Sequence, residues 1–313
     1  MARALDRYLD ELLPLFWLRP ETALWRACDC LLMESVKLPG RSADLGCGDG
    51  TLSFVMAGGR FPKDYDVFKT VAKLRSYGRG SDIFNAKARG ALKTTTTGLH
   101  RRFSWAVDHK DGLISKAARL GLYEKTLVHD LNKPLPFEVG SLDSAFSNIL
   151  YWLEDADAVL KDWRRVLAAK GRLALFVPDH SFPDKAWLYY RAPHEGRFRH
   201  LNYLDRGYSP LIKHCYSAAR WEKIFDRAGY RVVEHRPYLS DAVMDIWNVG
   251  TRPIAHLLID MAGRLDASDR LRARKLWVDF FTGFFSPILR DEMKRRPREG
   301  TAAFHFYVLE KRS

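Results

Sequence analysis

Apolar residues recur at helical spacing near the start of the chain and then fall into short runs separated by amphipathic stretches. Leu5, Tyr8, Leu9 and Leu12 follow helical spacing, so residues 3–37 are predicted to be helical until Pro39-Gly40 breaks the pattern. Strands are predicted at 42–45, 103–107, 126–129, 142–149, 172–177, 230–234 and 303–310. Helices are predicted at 51–57, 112–120, 155–167 and 217–228, with Lys170-Gly171 as the stop of the third and a helical patch at 67–74.

Strands that alternate with helices at this spacing predict an α/β fold with a parallel sheet covered by helices on both faces. We expect residues 1–38 to form an N-terminal helical cap and residues 39–313 to form the main domain. Three segments interrupt the alternation and are predicted to be insertions, namely 59–102, 181–216 and 240–300.

Composition predicts a folded protein of a reducing compartment. The 313 residues are 47% hydrophobic and 28% charged, which is enough apolar material for a sizeable core. Cys28, Cys30, Cys47 and Cys215 have neither disulfide-framework nor zinc-site spacing, so we expect free thiols and no metal. No secretion signal or membrane-span-length apolar run is evident, and we expect a cytoplasmic location.

Positive charge is concentrated in one segment. The net charge is +13, and residues 59–102 carry eleven Lys or Arg against three Asp, which leaves +8 in that segment alone. Such a surplus favours an acidic partner, whether nucleic acid, anionic lipid or a negatively charged substrate. A solvated basic loop without a partner explains the same charge.

A glycine-rich turn follows the first predicted strand. It comprises Asp44, Gly46, Gly48 and Gly50, and glycines there let the backbone approach a ligand closely at the carboxyl end of a parallel strand. Both a dinucleotide and S-adenosylmethionine (SAM) fit this position. The third glycine comes one residue too early for the dinucleotide pattern, and Asp44 suits a ligand with an ammonium group better than a pyrophosphate.

With the later motifs, the chain resembles the class I SAM-dependent methyltransferases of the small-molecule type, with a domain like methyltransferase 11 or 12. The residues that carry the resemblance are Asp44–Gly50, Asp108, Asp130-Leu131 with Pro134–Phe137, Ser144–Leu150, and Asp162–Leu167 with Gly171–Pro178. The resemblance covers about residues 40–180 without the basic insertion, and more loosely the last strands. It implies a Rossmann-like sheet of seven mostly parallel strands whose last strand is antiparallel.

The resemblance also implies the cofactor and its ligands. SAM would be the methyl donor and S-adenosylhomocysteine the product. The residues expected to bind the cofactor are Asp44, Gly46, Cys47, Gly48, Gly50, Asp108, His109, Asp130, Leu131, Ser147 and Asn148.

Two departures from the family pattern leave alternatives open. Asp108 lies 64 residues after Asp44, whereas Asp64 and Asp66 stand at the usual separation for the ribose-binding acid. Asp108 is preferred because it follows an apolar strand. The loop after the fourth strand carries Tyr151-Trp152 where many members have a histidine, and this pair is either a cofactor platform or core. Asp44 and Asp130 also have a simpler interpretation, as caps of turns.

Residues for catalysis and substrate binding are less clearly marked. Methyl transfer needs mainly proximity and alignment, with a general base for hydroxyl or ammonium acceptors. His180 directly follows the fifth strand and is the predicted base or substrate contact, within a cluster that continues with His194, His200, Tyr203, Tyr208 and His214. Ser147-Asn148-Ile149 stands where amino-group methyltransferases carry an Asn-Pro-Pro-Tyr type motif, which disfavours methylation of base amines.

Three functions remain on this evidence. The first is methyl transfer to an O, C or N atom of a small molecule or of a lipid- or sugar-linked acceptor. The second is RNA methylation with the basic segment 59–102 along the phosphates. The third is a SAM-binding interaction module without activity. The aromatic insertion 240–300 is expected to pack on the core or as a lid, with peripheral membrane contact as the alternative. The oligomeric state is left undetermined.

Overall fold

The computed structural model describes residues 2–69, 92–186, 212–251, 254–295, 297 and 300–312, without the side chains of residues 2–5 and His256. Within these residues seven strands form one sheet in the order β3-β2-β1-β4-β5-β7-β6. The strands are β1 (Ser42–Leu45), β2 (Phe103–Asp108), β3 (Tyr123–Val128), β4 (Leu142–Ser147), β5 (Leu167–Pro178), β6 (Tyr230–Tyr238) and β7 (Phe304–Lys311).

Strand directions confirm the predicted fold class. The pairs β1–β2, β1–β4, β2–β3 and β4–β5 are parallel, and β7 runs antiparallel to both β5 and β6. The order reverses at β1, between β2 and β4, and ligands bind at such switch points in open α/β sheets. The carboxyl ends of β2, β1, β4 and β5 therefore lie side by side along one edge.

The predicted helices differ from the observed ones mainly at their ends, and further helices lie in the predicted insertions 181–216 and 240–300. The observed helices are α1 (Ala2–Leu15), α2 (Pro20–Met33), α3 (Thr51–Met56), α4 (Asp111–Ala117), α5 (Ala156–Val166), α6 (Phe182–Lys185), α7 (Ala218–Arg227), α8 (Asp241–Val249), α9 (Ala255–Gly263) and α10 (Ala267–Lys294). Of the predicted helical patch 67–74, residues 67–69 form a single 3-10 turn and the remainder lies outside the described residues.

One helix boundary was predicted wrongly. Lys170-Gly171 does not stop α5, because α5 ends at Val166 and the chain enters β5 at Leu167. Leu167 pairs with Leu142 and Arg172 pairs with Ser144, so the residues between form an irregularity in which Lys170 adopts φ 59°. β3 also begins three residues before the predicted strand, since its first residues are polar and lie at the edge of the sheet.

Two apolar layers enclose the sheet. On one face Phe54, Phe146 and Phe176 pack with buried residues of α1, α2, α8 and α10. On the other face Trp163 of α5 and Trp221 of α7 pack on residues of β4, β5 and β7. Burial of these large side chains is the main source of stability at about 25 cal/mol per Å² of apolar surface.

The last insertion places most of its residues in helices α8 to α10. Trp247, Phe285 and Leu289 are buried in the core, and α10 packs on α1 and α2. Leu276, Phe280 and Phe284 lie on the exposed side of α10. Among the described helices, none is long and apolar enough to cross a bilayer.

A buried ion pair ties α10 to the start of the basic insertion. Arg270 Nε donates to Asp66 Oδ2 at 2.8 Å, and both side chains are less than a tenth exposed. Asp66 Oδ1 also accepts the amide hydrogen of Phe68 at 2.9 Å. Loss of one partner would leave a buried charge without its counter-ion, which is costly.

We therefore expect Asp66→Ala to lower the free energy of unfolding by about 3–5 kcal/mol, as is typical when one partner of a buried pair is removed. Urea unfolding measures this change. The matched control is Asp260→Ala, which removes the exposed pair of Asp260 with Arg264 on α9 and should cost less than about 1 kcal/mol. Equal losses in the two variants would contradict the assignment of Asp66 to a buried structural pair.

Candidate active site

The turn after β1 is held against the end of β2 by backbone hydrogen bonds. The amides of Gly46 and Cys47 both donate to the carbonyl of Val107, at 2.8 and 3.1 Å. The Gly48 amide donates to Asp108 Oδ2 at 3.0 Å. Because β1 and β2 are parallel neighbours, the glycine turn and Asp108 meet at the carboxyl edge of the sheet.

The three glycines of the turn have different surroundings. All three have positive φ, of 86° at Gly46, 58° at Gly48 and 76° at Gly50. A Cβ at Gly46 would lie 2.2 Å from Ile149, and one at Gly50 would lie 2.7 Å from Leu120. Among the residues that the structure describes, no atom lies within 4 Å of a Cβ built at Gly48. Side chains therefore pack against the turn at Gly46 and Gly50. At Gly48 the turn is open to the described residues, so a ligand can approach the backbone there.

Asp108 is the acid that contacts the glycine turn. Its Oδ2 accepts from Gly48 and its Oδ1 accepts the Lys110 amide hydrogen at 2.9 Å. Each carboxylate oxygen has two acceptor positions, so Asp108 retains capacity for a ligand hydroxyl. The neighbouring His109 is mostly exposed, with Nδ1 3.5 Å from Asp108 Oδ1.

The rival acids occupy different places. Asp66 is buried and engaged by Arg270, and Asp64 is exposed. Neither arrangement resembles that of Asp108, whose carboxylate bonds the glycine turn itself.

Asp44 lies beneath the turn, in the protein interior. It is 1% exposed, and Oδ2 accepts the hydroxyl hydrogen of Tyr123 at 2.7 Å. Burial raises the pKa of Asp44 to about 6, and the charge of Asp108 contributes to this rise. The hydrogen bonds from Ser53 and Tyr123 lower the pKa but do not offset the effect of burial. The role of Asp44 toward an ammonium group stays a prediction. Sequence reasoning missed Tyr123, which belongs to the polar start of β3.

The remaining predicted cofactor residues line the same edge. Asp130 is half-buried and accepts from the backbone and side-chain amides of Asn132, both at 3.0 Å, so it does cap a turn. Leu131 is buried in the core on the α5 side. At the end of β4, Ser147 is buried with Oγ 3.3 Å from the Ile149 amide, and Asn148 is half-buried. The half-buried Cys47 belongs to the turn, and burial raises the pKa of its thiol.

Aromatic residues continue the edge beyond β4. Tyr151 is buried against Phe304, with ring centroids 5.7 Å apart, which places it in the core. Its carbonyl accepts the Lys213 amide hydrogen at 2.9 Å, so the segment before α7 runs beside this loop. His214 follows, with Nδ1 2.9 Å from the Tyr216 hydroxyl and Nε2 2.9 Å from the Leu153 carbonyl. The predicted residues His194, His200, Tyr203 and Tyr208 lie outside the described residues.

His180 stands at the carboxyl end of β5, next along the edge. Its side chain is 58% exposed, and Nδ1 lies 3.0 Å from Asp179 Oδ1. Asp179 is fully buried and also contacts His305 of β7, whose Nε2 lies 2.8 Å from Oδ2. The sequence placed His180 here but did not identify Asp179 or His305, which are 126 residues apart and meet only through the β5–β7 pairing.

Comparison with known proteins relates part of this chain to a protein family. Residues 90–175 match the family model described as a methyltransferase domain, which spans β2 to β5 and leaves the glycine turn outside the matched segment. A search of curated proteins finds no match.

Several solved structures align with most of this chain at low identity. A SAM-dependent methyltransferase of Thermotoga maritima is 13% identical, with 99% of each chain covered and a TM-score of 0.47. The partner of the Trm112 methyltransferase activator in a Haloferax volcanii complex is 16% identical, with 99% of this chain and 98% of that chain covered and a TM-score of 0.47. A SAM-dependent methyltransferase of Mesorhizobium loti is 13% identical, with 92% of this chain and 97% of that chain covered and a TM-score of 0.45. These similarities concern the fold and say nothing about an acceptor.

The family match and the strand order confirm the resemblance to class I SAM-dependent methyltransferases, and SAM is the cofactor that this domain implies. The site has the features that such a ligand needs: a turn open at Gly48 and a carboxylate at Asp108 with acceptor capacity. When bound, SAM supplies a methyl group already activated on a sulfonium.

We expect Gly48→Ala to abolish measurable SAM binding with a stability loss of only about 1–2 kcal/mol, the cost of a left-handed alanine. The new methyl group would occupy the open middle of the turn without striking the protein. Calorimetric titration with SAM and urea unfolding measure the two effects. Gly140→Ala is the control, since Gly140 has φ 69° and a Cβ there would have only an ordinary contact at 3.8 Å. SAM binding by Gly48→Ala as tight as by Gly140→Ala would contradict the open-turn interpretation.

The raised pKa of Asp44 predicts a pH dependence of stability with a definite sign. The folded protein holds the Asp44 proton up to about pH 6, whereas the unfolded chain loses it near the ordinary aspartate pKa of 3.8. Stability from this group is therefore present below about pH 4, is lost as the pH rises to about 6, and stays lost above. Asp44→Asn should make the cofactor-free protein about 2–3 kcal/mol more stable than wild type at pH 7.5.

Unfolding at several pH values from 4 to 8 measures the difference between Asp44→Asn and wild type. Asp143→Asn is the control, because a hydrogen bond from the Arg41 amide lowers the pKa of this partly exposed carboxyl, so its replacement should not stabilise the protein at pH 7.5. An Asp44→Asn protein less stable than wild type at pH 7.5 would show that the ionised carboxylate is favourable in the interior.

Proposed function

We propose that the protein transfers the methyl group of SAM to an O, C or N atom of a small molecule or of a lipid- or sugar-linked acceptor. The cofactor would lie across the carboxyl edge, on Asp44, Gly46, Cys47, Gly48 and Gly50 of the turn and on Asp108 and His109 after β2. Asp130, Leu131, Ser147 and Asn148 would border its adenine side. His180 would face the acceptor.

One observation carries the assignment of the cofactor residues. The Gly48 amide and Asp108 Oδ2 are joined by a 3.0 Å hydrogen bond across adjacent parallel strands, although the two residues are 60 positions apart. This bond fixes the open turn and the acid in one arrangement at the switch point of the sheet. A dinucleotide pyrophosphate would meet the negative charges of Asp44, Asp49 and Asp108 around the same turn, whereas SAM brings positive charge.

The acceptor side supports a compact substrate in preference to RNA. Ser147-Asn148-Ile149 lacks the motif of amino-group methyltransferases. Within the described part of the basic insertion, Arg60 pairs with Glu11, Arg101 donates to the Val36 carbonyl and Arg102 donates to the Gly121 carbonyl. These cations are used within the protein, so they support a structural role for this part of the insertion. The buried free thiols of Cys28 and Cys30 fit the expected cytoplasmic location.

Binding and transfer of label test the proposal together. We expect wild type to bind SAM and S-adenosylhomocysteine in a calorimeter, and Asp108→Asn to bind about 10- to 100-fold more weakly, the worth of a hydrogen bond to a charged group. Asp143→Asn, which alters an aspartate that also accepts a backbone amide but at the opposite edge of the sheet, should bind like wild type.

Methyl-labelled SAM is then incubated with the protein and with separate extracts of small metabolites, lipids and RNA. Label in the metabolite or lipid fraction is the expected result. Label in RNA alone would replace this proposal with the RNA methyltransferase. Binding of SAM without transfer to any fraction would favour the non-catalytic module, and absence of SAM binding would overturn the cofactor assignment itself.

A further inference from the structure

Asp179 is the centre of a hydrogen-bonded group at the carboxyl end of β5. Its carboxylate is fully buried and is reached from three sides: by the Ser181 amide at 2.8 Å, by His180 Nδ1 at 3.0 Å and by His305 Nε2 at 2.8 Å. Burial raises the pKa of Asp179, but the hydrogen bonds from His305 and Ser181 outweigh it and hold the pKa well below its usual range. The carboxylate is therefore ionised and accepts every bond.

A second histidine stands behind His305. His235 Nε2 of β6 lies 3.1 Å from His305 Nδ1, and the His235 ring stacks on Tyr307 at 4.3 Å and 4°. Burial and the adjacent His305 lower the pKa of His235 to about 4, so this ring is neutral near pH 7. Three strands thus fix the position of the Asp179 carboxylate: β5, β7 and β6.

The arrangement differs from an ordinary turn cap. A cap needs one carboxylate oxygen, which the Ser181 amide occupies on Oδ1. The second oxygen accepts from the fully buried His305, and the exposed His180 approaches the same carboxylate from the edge where the acceptor is expected. Among the described residues, the Cys215 thiol also faces this carboxylate, and burial and the charge of Asp179 raise its pKa to about 12. Glu222 of α7 lies 3.8 Å from His235, on the far side of His305.

The geometry points to Asp179 and His305 as positioning residues that hold His180 as the general base of methyl transfer to a hydroxyl-bearing acceptor. This inference rests on the proposed function and narrows its acceptor from any O, C or N atom to a hydroxyl. Because the ionised Asp179 can only accept a hydrogen bond, the neutral His180 ring carries its hydrogen on Nδ1. Its Nε2 then has a free lone pair that can take a proton. The same relation of carboxylate and imidazole sets the tautomer in other acid–base sites.

Two bonds form and two bonds break in the transfer. The acceptor oxygen bonds to the methyl carbon while the S–CH₃ bond breaks, and its electron pair stays on sulfur. The O–H bond of the acceptor breaks, and its proton moves to His180 Nε2. The resulting imidazolium lies 3.0 Å from Asp179, which stabilises its charge until the proton passes to water.

Nitrogen-15 NMR of the histidine rings tests the positioning without any acceptor. In SAM-bound wild type at a pH where the ring is neutral, His180 should show a hydrogen on Nδ1 and a bare Nε2. The spectrum of His180→Gln assigns the resonance. Asp179→Asn should shift His180 toward the tautomer with hydrogen on Nε2, and His305→Gln, which spares the carboxylate, should shift it less. A wild-type ring protonated on Nε2, or an unchanged tautomer in Asp179→Asn, would overturn the positioning role.

Transfer of labelled methyl from SAM to a metabolite extract tests the base. The His180→Gln variant should transfer label at least about 100-fold more slowly than wild type, since a general base usually contributes that much. Its affinity for SAM should be unchanged. His100→Gln, an exposed histidine before β2 at the opposite edge, should transfer like wild type. Label found on hydroxyl oxygen supports the inference.

The outcomes separate this inference from the proposed function. Absence of SAM binding in wild type overturns the proposed function. Normal SAM binding with equal transfer by His180→Gln and wild type, or label on carbon or nitrogen only, overturns this inference and leaves the proposed function intact.

Discussion

The bond between the glycine turn and the end of β2 is the constraint on which the candidate site depends. β1 lies at the switch point of the sheet, and the turn after it bonds to Val107 and Asp108 through the amides of Gly46, Cys47 and Gly48. This contact sets where the backbone is open, where the acid stands and how deeply Asp44 is buried. An alternative register between β1 and β2 would separate the acid from the turn, although each residue would remain in the sequence.

Charge is distributed unequally around that constraint. Asp44, Asp49 and Asp108 gather near Cys47, and their combined field, together with burial, disfavours ionisation of the thiol. Burial of Asp44 makes its ionised form costly in the folded protein, and a cationic ligand at the turn would lower that cost by supplying the opposite charge. The ionised form of Asp44 would therefore have a lower electrostatic free energy with a cation bound at the turn than without one. If SAM binds at this turn as proposed, stability and cofactor affinity are linked through the buried carboxyl of Asp44.

The acceptor side depends on a different part of the fold. β7 enters the sheet between β5 and β6 and runs antiparallel to both, so His305 and His235 arrive beside Asp179 from strands that are distant in the chain. The glycine turn lies in the parallel half of the sheet, after β1 and beside β2. Under the proposed function, substitutions on the two halves should therefore alter cofactor binding and proton transfer independently.

The sequence by itself determined the fold class, the position of the glycine turn and most strands, because glycine spacing and apolar runs act locally. Its preference for Asp108 over Asp66 rested on the apolar strand before it, and the same local pattern predicted His180 at the end of a strand. Only the tertiary structure decided that Asp66 pairs with Arg270, that Tyr123 bonds Asp44, and that Asp179 lies between two histidines. It also decided that the chain from Leu167 belongs to β5, since Leu167 pairs with Leu142 on another strand. These relations arise from pairing and packing between residues far apart in the chain, and local patterns of apolar and polar residues do not encode such distances.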